Sequence, residues 1–432
     1  MSEERIVIVG ASLAGARAAE GARDAGFEGE ILLIGEEPDD PYERPPLSKD
    51  YLRGEKDQLT WVHDAGYYGE RGIDLRLSTF VSGIDPSSRT VQLDGANPEP
   101  YDRLLLATGC EPVSLDLPGS GLSGIHYLRS VADSAALRDQ LGEGTRVVVV
   151  GAGWIGSEVA ASARQKGCEV VLIEPREVPL QTVLGTRLGG VYRDLHIEHG
   201  VDYKSGTKVE AFLGEDRVTS VGTTAGEIPA DLVVVGIGAT PRTGLAQLAG
   251  LELNDGVPVD AGMRTEGECI YAAGDIANQY HPFYGERIRV EHWANARRQG
   301  YAAGRSMAGE ETFYDDLPYF FSDQYDLGME YIGHAEGSDE VVIRGDAESR
   351  EFIAFWLREG RVLAGMNVNV WDVNERIGDL IRSKQAIDTA ALADPETDLA
   401  TIADPVQAAA DEADSRSGAS HSAGRAGGTS PE

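Results

Sequence analysis

Cysteine is scarce in this chain. Cys110, Cys168 and Cys269 stand far apart with no CxxC or CxxxxC spacing, so no disulfide framework, zinc site or local redox dithiol is indicated, and no metal is expected. Lysine is also rare, with only six among the 38 basic residues. Positive charge is in deficit throughout. The formal net charge of −34 argues against nucleic acid or an anionic membrane as a partner. Nowhere does an apolar run approach the roughly 18 residues of a membrane span. Arg5–Gly10 reads as a strand so close to Met1 that it leaves no room for a targeting segment, and a cytoplasmic location is expected.

The acidity has two readings, compositional bias or a high-salt habitat. Part of it is local. Ala386 to the end carries nine acids against two arginines and closes in SRSGASHSAGRAGGTSPE, a polar, small-residue composition that reads as a disordered acidic tail. With 432 residues and 41% apolar content, two to four domains with real cores are expected.

What is present is a repeated theme. RIVIVG runs into GASLAG at 10–15, then a helical ARAAEGARDAG, then EILLIG and Glu36. RVVVVG runs into GAGWIG at 151–156, then SEVAASARQKG, then EVVLI and Glu174. Each is strand, glycine-rich turn, helix, strand and acid, the dinucleotide-binding βαβ pattern. The glycines permit a tight turn, a close approach of backbone to pyrophosphate, and packing of helix on strand. The phosphates then lie at a helix N-terminus, whose free N–H groups and dipole favour anions. The terminal carboxylate accepts hydrogen bonds from ribose hydroxyls. Ser12 replaces the middle glycine of the first copy. Glu174 would repel a 2′-phosphate and favours NADH over NADPH, a preference that Arg176 weakens.

Apolar runs ending in glycine, YDRLLLATG (101–109), DLVVVGIGATP (231–241) and IYAAGDIA (270–277), read as buried strands leading to ligand-side turns. Asp275 in the last suits either a polyol contact or a helix N-cap. PYERPPLSK (41–49) is stiffened by three prolines, which excludes an ordinary helix or a central strand. PYFFSDQYDLGMEYIG, DEVVIRG, EFIAFWLREG and RVLAGMNVN read as antiparallel strands.

Taken together, the two fingerprints, ATG, GIGATP, AAGD and PYERPPLSK resemble the FAD-dependent NADH:ferredoxin reductases of bacterial oxygenase systems, the group of putidaredoxin, rhodocoxin and biphenyl dioxygenase reductases. The resemblance covers roughly residues 4–395. It implies an α/β fold with two Rossmann-like dinucleotide-binding domains, glutathione-reductase-like, plus a C-terminal α+β domain with an antiparallel sheet. The FAD-binding domain would comprise 1–109 and 240–314, the NAD(H)-binding domain 110–239, the C-terminal domain 315–395 and the tail 396–432.

The resemblance also implies cofactor contacts. FAD would meet Gly10, Ala14, Gly15, Glu36, Arg44, Lys49, Val81, Arg129, Asp275, Glu291, His292 and Trp293. NADH would meet Gly151, Gly153, Ile155, Gly156, Glu158, Glu174 and Gly238. Lys49 and Glu158 are the implied catalytic pair, the lysine beside the flavin ring and the carboxylate holding it. Two departures stand out: Thr182 replaces an arginine common in relatives, and Phe321 replaces a tryptophan that several place before SDQ. Hydride transfer requires nicotinamide C4 about 3–3.5 Å from flavin N5.

The implied partner is a [2Fe–2S] ferredoxin, and indirectly a cytochrome P450 or ring-hydroxylating dioxygenase, with the reductase a monomer or weak dimer. Arg287, Arg289, Arg297 and Arg298 are candidate docking groups, or else simple ion pairs in an acid-rich protein. Three other readings stay open. One is a flavin-binding interaction protein that responds to NADH, resembling apoptosis-inducing factor. Another is an NADH oxidase or disulfide-reductase-like enzyme. The third is a reductase for a different acceptor, such as rubredoxin or a quinone.

Overall fold

The computed structural model describes residues 4–403. Packing divides the chain into two compact units, with the division after Asp326.

The first unit holds two parallel sheets. Apart from the edge strands Ile73–Arg76, Asp202–Ser205 and Ile125–His126, its strands are short, β-branched or leucine-rich, and largely buried, the composition that parallel sheets require. The first sheet runs Ile270–Ala272, Arg103–Leu106, Arg5–Val9, Glu30–Ile34, Ile73–Arg76. The second runs Asp202–Ser205, Glu169–Glu174, Arg146–Val150, Leu232–Val235, Ile125–His126. Each is accompanied by a three-stranded antiparallel meander, Val81–Pro100 for the first and Val209–Pro229 for the second. The repeat seen in the sequence is therefore a repeat of architecture.

Helix Leu13–Asp24 follows the first strand, and helix Trp293–Met307 lies directly on it. The two backbones touch through small residues. A Cβ at Gly300 would stand 2.2 Å from the Ala14 carbonyl oxygen, and one at Gly304 2.0 Å from that of Ala18. Gly274 of the AAGD turn, at φ +80°, fits against Ala14 and Ala296. Glu291–Trp293 is thereby fixed close to the first glycine turn.

PYERPPLSKDYL folds as a 3-10 turn, Pro45–Ser48, then a single helical turn, Asp50–Arg53, that stops at Gly54 in the left-handed region. The prolines occupy the first positions of the turn, where a missing N–H costs nothing. Leu52 is fully buried in the core of the second sheet, with Leu137, Leu141, Val159 and Ala163. The Leu47 and Ser48 carbonyls accept hydrogen bonds from Ser134 Oγ and Ser162 Oγ, both at 2.7 Å. The hook therefore spans from the first nucleotide unit into the second.

In the second unit, strands Leu327–Gly333, Arg361–Val368, Glu351–Arg358 and Glu340–Asp346 are antiparallel neighbours in that order. Helix Asn374–Ser383 buries Ile377, Leu380 and Ile381. A Cβ at Gly365 would lie 2.5 Å from Ile377 Cγ2, so glycine permits the close approach of helix to sheet. Leu399–Ala403 is a short helix inside the stretch read as tail, and residues 404–432 lie outside the described residues.

Candidate active site

Both glycine turns have the same construction. Gly10 and Gly151 have φ of +114° and +95°, a region open to glycine at little cost. A Cβ at Gly15 would lie 2.0 Å from the Gly10 carbonyl oxygen, and one at Gly156 1.9 Å from that of Gly151, so both third positions must be glycine. Neither following helix, Leu13–Asp24 or Trp154–Gln165, has a side chain capping its N-terminus. The space beside Gly238 is open, and a Cβ at Gly153 would meet only the Gly236 carbonyl oxygen, at 4.0 Å. Uncapped N–H groups facing open space suit a pyrophosphate.

The carboxylates after the second strands differ in setting. Glu174 is buried; its Oε2 accepts from Ala152 N and its Oε1 from Arg176 N, both at 3.0 Å. The Arg176 guanidinium lies 3.6 Å from the same carboxylate. Glu36 is exposed and paired with Arg242 at 2.8 Å, a partner 206 residues away that sequence reasoning missed.

Within the first unit stands a buried cluster that brings the proline hook against helix Trp154–Gln165. Lys49 Nζ lies 2.7 Å from Glu158 Oε2, with the carboxylate side chain only 4% exposed and the lysine 12%. Ser48 Oγ donates to Glu158 Oε2 at 2.5 Å and Ser322 Oγ to Oε1 at 2.7 Å. The lysine also lies 5.8 Å from the Phe321 ring centroid. It lines a cleft of about 450 Å³ with Pro46, Arg53, Phe321, Asp323 and Tyr325. Residues 4–300 match the family model for the pyridine nucleotide-disulphide oxidoreductases, and residues 319–403 match a reductase C-terminal model.

The chain belongs to the pyridine nucleotide-disulphide oxidoreductases.

It is 39% identical to the ferredoxin–NAD(+) reductase component of the anthranilate 1,2-dioxygenase system of Burkholderia cepacia, covering 92% of this chain and 99% of that protein. It is 36% identical to rhodocoxin reductase of Rhodococcus erythropolis, over 91% and 93%. In structure it resembles the covalent putidaredoxin reductase–putidaredoxin complex, with a TM-score of 0.88 and 34% identity, over 93% of this chain and 98% of that one. The fold expected from the resemblance, two Rossmann-like units and a C-terminal antiparallel sheet, is the fold of this family.

As a pyridine nucleotide-disulphide oxidoreductase, the chain uses FAD and NAD(H). The residues present fit two dinucleotides: two uncapped helix ends, two acids after the second strands, and buried polar atoms at Arg44 Nε and Trp293 Nε1 that have no partner among the described residues. No helix is long and apolar enough to cross a membrane among those residues.

Arg44 is held by Glu37 at 2.5 Å and by the Arg129 carbonyl at 2.5 Å, while Arg129 pairs with Asp275 at 2.9 Å. Asp275 thus neither caps a helix nor stands free. Ala14 is buried under helix Trp293–Met307, and Val81 is buried in the first core. Glu291 is bound by Arg289 at 2.5 Å, the His292 ring lies 4.3 Å from Phe320, and Trp293 meets Phe321 edge-on at 6.3 Å. Ile155 is exposed at the second helix N-terminus. Thr182 lies in helix Gln181–Glu198.

Ser48, Ser322 and Glu37 were missed as well. Alternation along YFFSDQ could have found Ser322, since a strand that buries Phe320 turns Ser322 and Gln324 to the same side.

Proposed function

We propose that this chain is the reductase component of an oxygenase system. It takes hydride from NADH and passes electrons one at a time to a [2Fe–2S] ferredoxin that serves a cytochrome P450 or a ring-hydroxylating dioxygenase. The observation that carries the reading is the Lys49–Glu158 pair at 2.7 Å, which ties the proline hook to the second nucleotide helix with no thiol in the cluster. Relatives along nearly the whole chain are ferredoxin reductases.

Bound FAD supplies the conversion between two-electron and one-electron chemistry. The chain's own residues bind and orient. Gly10 and Gly15, with Glu36, take the flavin dinucleotide; Gly151, Gly153, Gly156, Ile155, Gly238 and Glu174 take NADH. Arg129, held by Asp275, and Arg44 present cationic edges to the flavin side. Lys49 brings a positive charge to the flavin ring, and Glu158 keeps that charge in place. Glu174 disfavours a 2′-phosphate, and Arg176, already engaged on Glu174, does not offset it; NADH is the preferred donor.

For the partner, Arg289 is the weakest docking candidate, being only 12% exposed and bound to Asp255 and Glu291. Arg287 is spent on the Val259 and Asn278 carbonyls. Arg297, stacked on Trp293 at 5.3 Å, and Arg298, 3.5 Å from Asp316 and half-exposed, are left as the positive groups that meet an acidic ferredoxin. The protein acts in the cytoplasm as a monomer or weak dimer.

A disulfide relay finds little support, because all three cysteines are free, Cys110 and Cys168 are buried, and burial pushes both thiols up. The test is NADH-driven reduction of cytochrome c. It should require an added [2Fe–2S] ferredoxin and survive alkylation of the accessible thiols. Ferredoxin-independent turnover, or loss of all turnover on alkylation, would refute the reading. Slow turnover with every ferredoxin and NADH-induced dimerisation would favour a flavin-binding interaction protein instead.

A further inference from the structure

Glu158 is the end of a longer hydrogen-bonded chain. Ser322 Oγ lies 2.7 Å from Glu158 Oε1, Gln324 Nε2 lies 3.4 Å from Ser322 Oγ, and His196 Nε2 lies 3.1 Å from Gln324 Oε1. Tyr325 OH closes it, 3.3 Å from His196 Nδ1. Ser322 and Gln324 are each 1% exposed and His196 is fully buried, so water does not compete for these bonds.

The direction of the chain is set at one end. A carboxylate only accepts, so the Ser322 hydroxyl must give its proton to Glu158, which leaves its oxygen to accept from the Gln324 amide. Gln324 then presents its carbonyl oxygen to His196, whose Nε2 must carry the hydrogen. Nδ1 of the imidazole is left as the acceptor for Tyr325. A single neutral tautomer satisfies every link, and burial keeps the ring neutral by lowering its pKa to about 4. The elements involved are distant in sequence: helix Trp154–Gln165, helix Gln181–Glu198 and strand Tyr319–Gln324.

We propose that His196 is a positioning residue: through Gln324 and Ser322 it fixes the Glu158 carboxylate so that its other oxygen holds the Lys49 ammonium. The consequence for electron transfer rests on the role given to Lys49 above. The relay itself does not, and the experiment reads it without a ferredoxin.

With six lysines in the chain, reductive methylation of the flavin-loaded protein followed by peptide mapping reports Lys49 separately, with the other five as internal controls. An ammonium locked on a carboxylate reacts slowly. Ser322→Ala should accelerate Lys49 labelling about tenfold, the factor that goes with one hydrogen bond to a charged group. His196→Leu should accelerate it severalfold, and His196→Gln, whose amide replaces Nε2–H as donor, should return it to within about twofold of the parent. A parent-like Lys49 rate in His196→Leu would overturn the proposal, as would His196→Gln behaving like His196→Leu. If His196→Leu is insoluble, Gln324→Met breaks the same link from the strand, and an unchanged Lys49 rate there refutes it equally. A normal ferredoxin assay combined with unchanged labelling separates failure of the relay from failure of the functional reading.

Discussion

Removing one member of the Lys49–Glu158 pair should cost more than removing both. The two side chains are 12% and 4% exposed at 2.7 Å, so their mutual attraction is weakly screened and each is stranded without the other. Stranding one member of a buried pair costs about 3–5 kcal/mol. Lys49→Met leaves the carboxylate with two hydroxyl donors, Ser48 and Ser322, and should fall near the lower end, about 3 kcal/mol. Glu158→Gln leaves an ammonium whose other hydrogen-bond acceptor is the Pro45 carbonyl at 3.5 Å, with Asp323 acting on it only through space, and should cost about 4 kcal/mol. The double variant strands no charge and should lose only about 2 kcal/mol, the cost of imperfectly satisfied hydroxyls. Coupling of several kcal/mol follows, measured as a double-mutant cycle from urea midpoints of the flavin-loaded proteins by tryptophan fluorescence. Single costs that add to the double within about 0.5 kcal/mol would refute the reasoning, because independent sites behave in that way.

Other expectations are more direct. Gly15→Ala forces a Cβ against the Gly10 carbonyl, so the purified variant should be colourless or unfolded, which an absorbance spectrum decides. Glu174→Ala should raise KM for NADH and narrow the NADH-to-NADPH ratio in kcat/KM, as steady-state kinetics with both donors will show. His196 is held neutral with its pKa lowered to about 4, by burial first and by the nearby His199. Its contribution to stability is present above its ordinary value near 6.5 and is lost as pH falls from there toward about 4. The drop in urea midpoint over that interval should be smaller in His196→Gln than in the parent, and equal slopes would contradict the assignment.

How much of this was legible follows from the range of the interactions. The two glycine turns are local devices: Gly10 and Gly15, or Gly151 and Gly156, are five residues apart and meet through their own backbone, so spacing alone encodes them. The partner of Glu36 is another matter. Arg242 is 206 residues away, and nothing near either residue marks the pair. Asp275 illustrates a choice that local sequence cannot make. Polyol contact and helix cap were equally good readings; no helix begins at Asp275, and its carboxylate accepts from Arg129, 146 residues away. Lys49 and Glu158 were named by family resemblance, whereas Ser322, 164 residues from Glu158, escaped it because serine on a strand looks like ordinary surface.

The proline hook explains why these long-range contacts can be few and still hold. A flexible loop carrying Lys49 would lose much conformational entropy on docking, about 1–2 kcal/mol per ordered residue. Prolines at 41, 45 and 46 reduce that loss in advance by restricting the unfolded chain. Leu52, buried in the second core, anchors the far end of the hook. Ser134 and Ser162, from helices Val131–Arg138 and Trp154–Gln165, bond the Leu47 and Ser48 carbonyls at the end of the turn. The lysine is therefore positioned by the packing of the second nucleotide unit, although it follows the first in sequence. A charge fixed in that way needs only one carboxylate to hold it, and Glu158, on the helix that begins at the second glycine turn, moves with the same packing. Lys49 is thus tied through Glu158 to the helix that begins at the second glycine turn, with no thiol in the cluster.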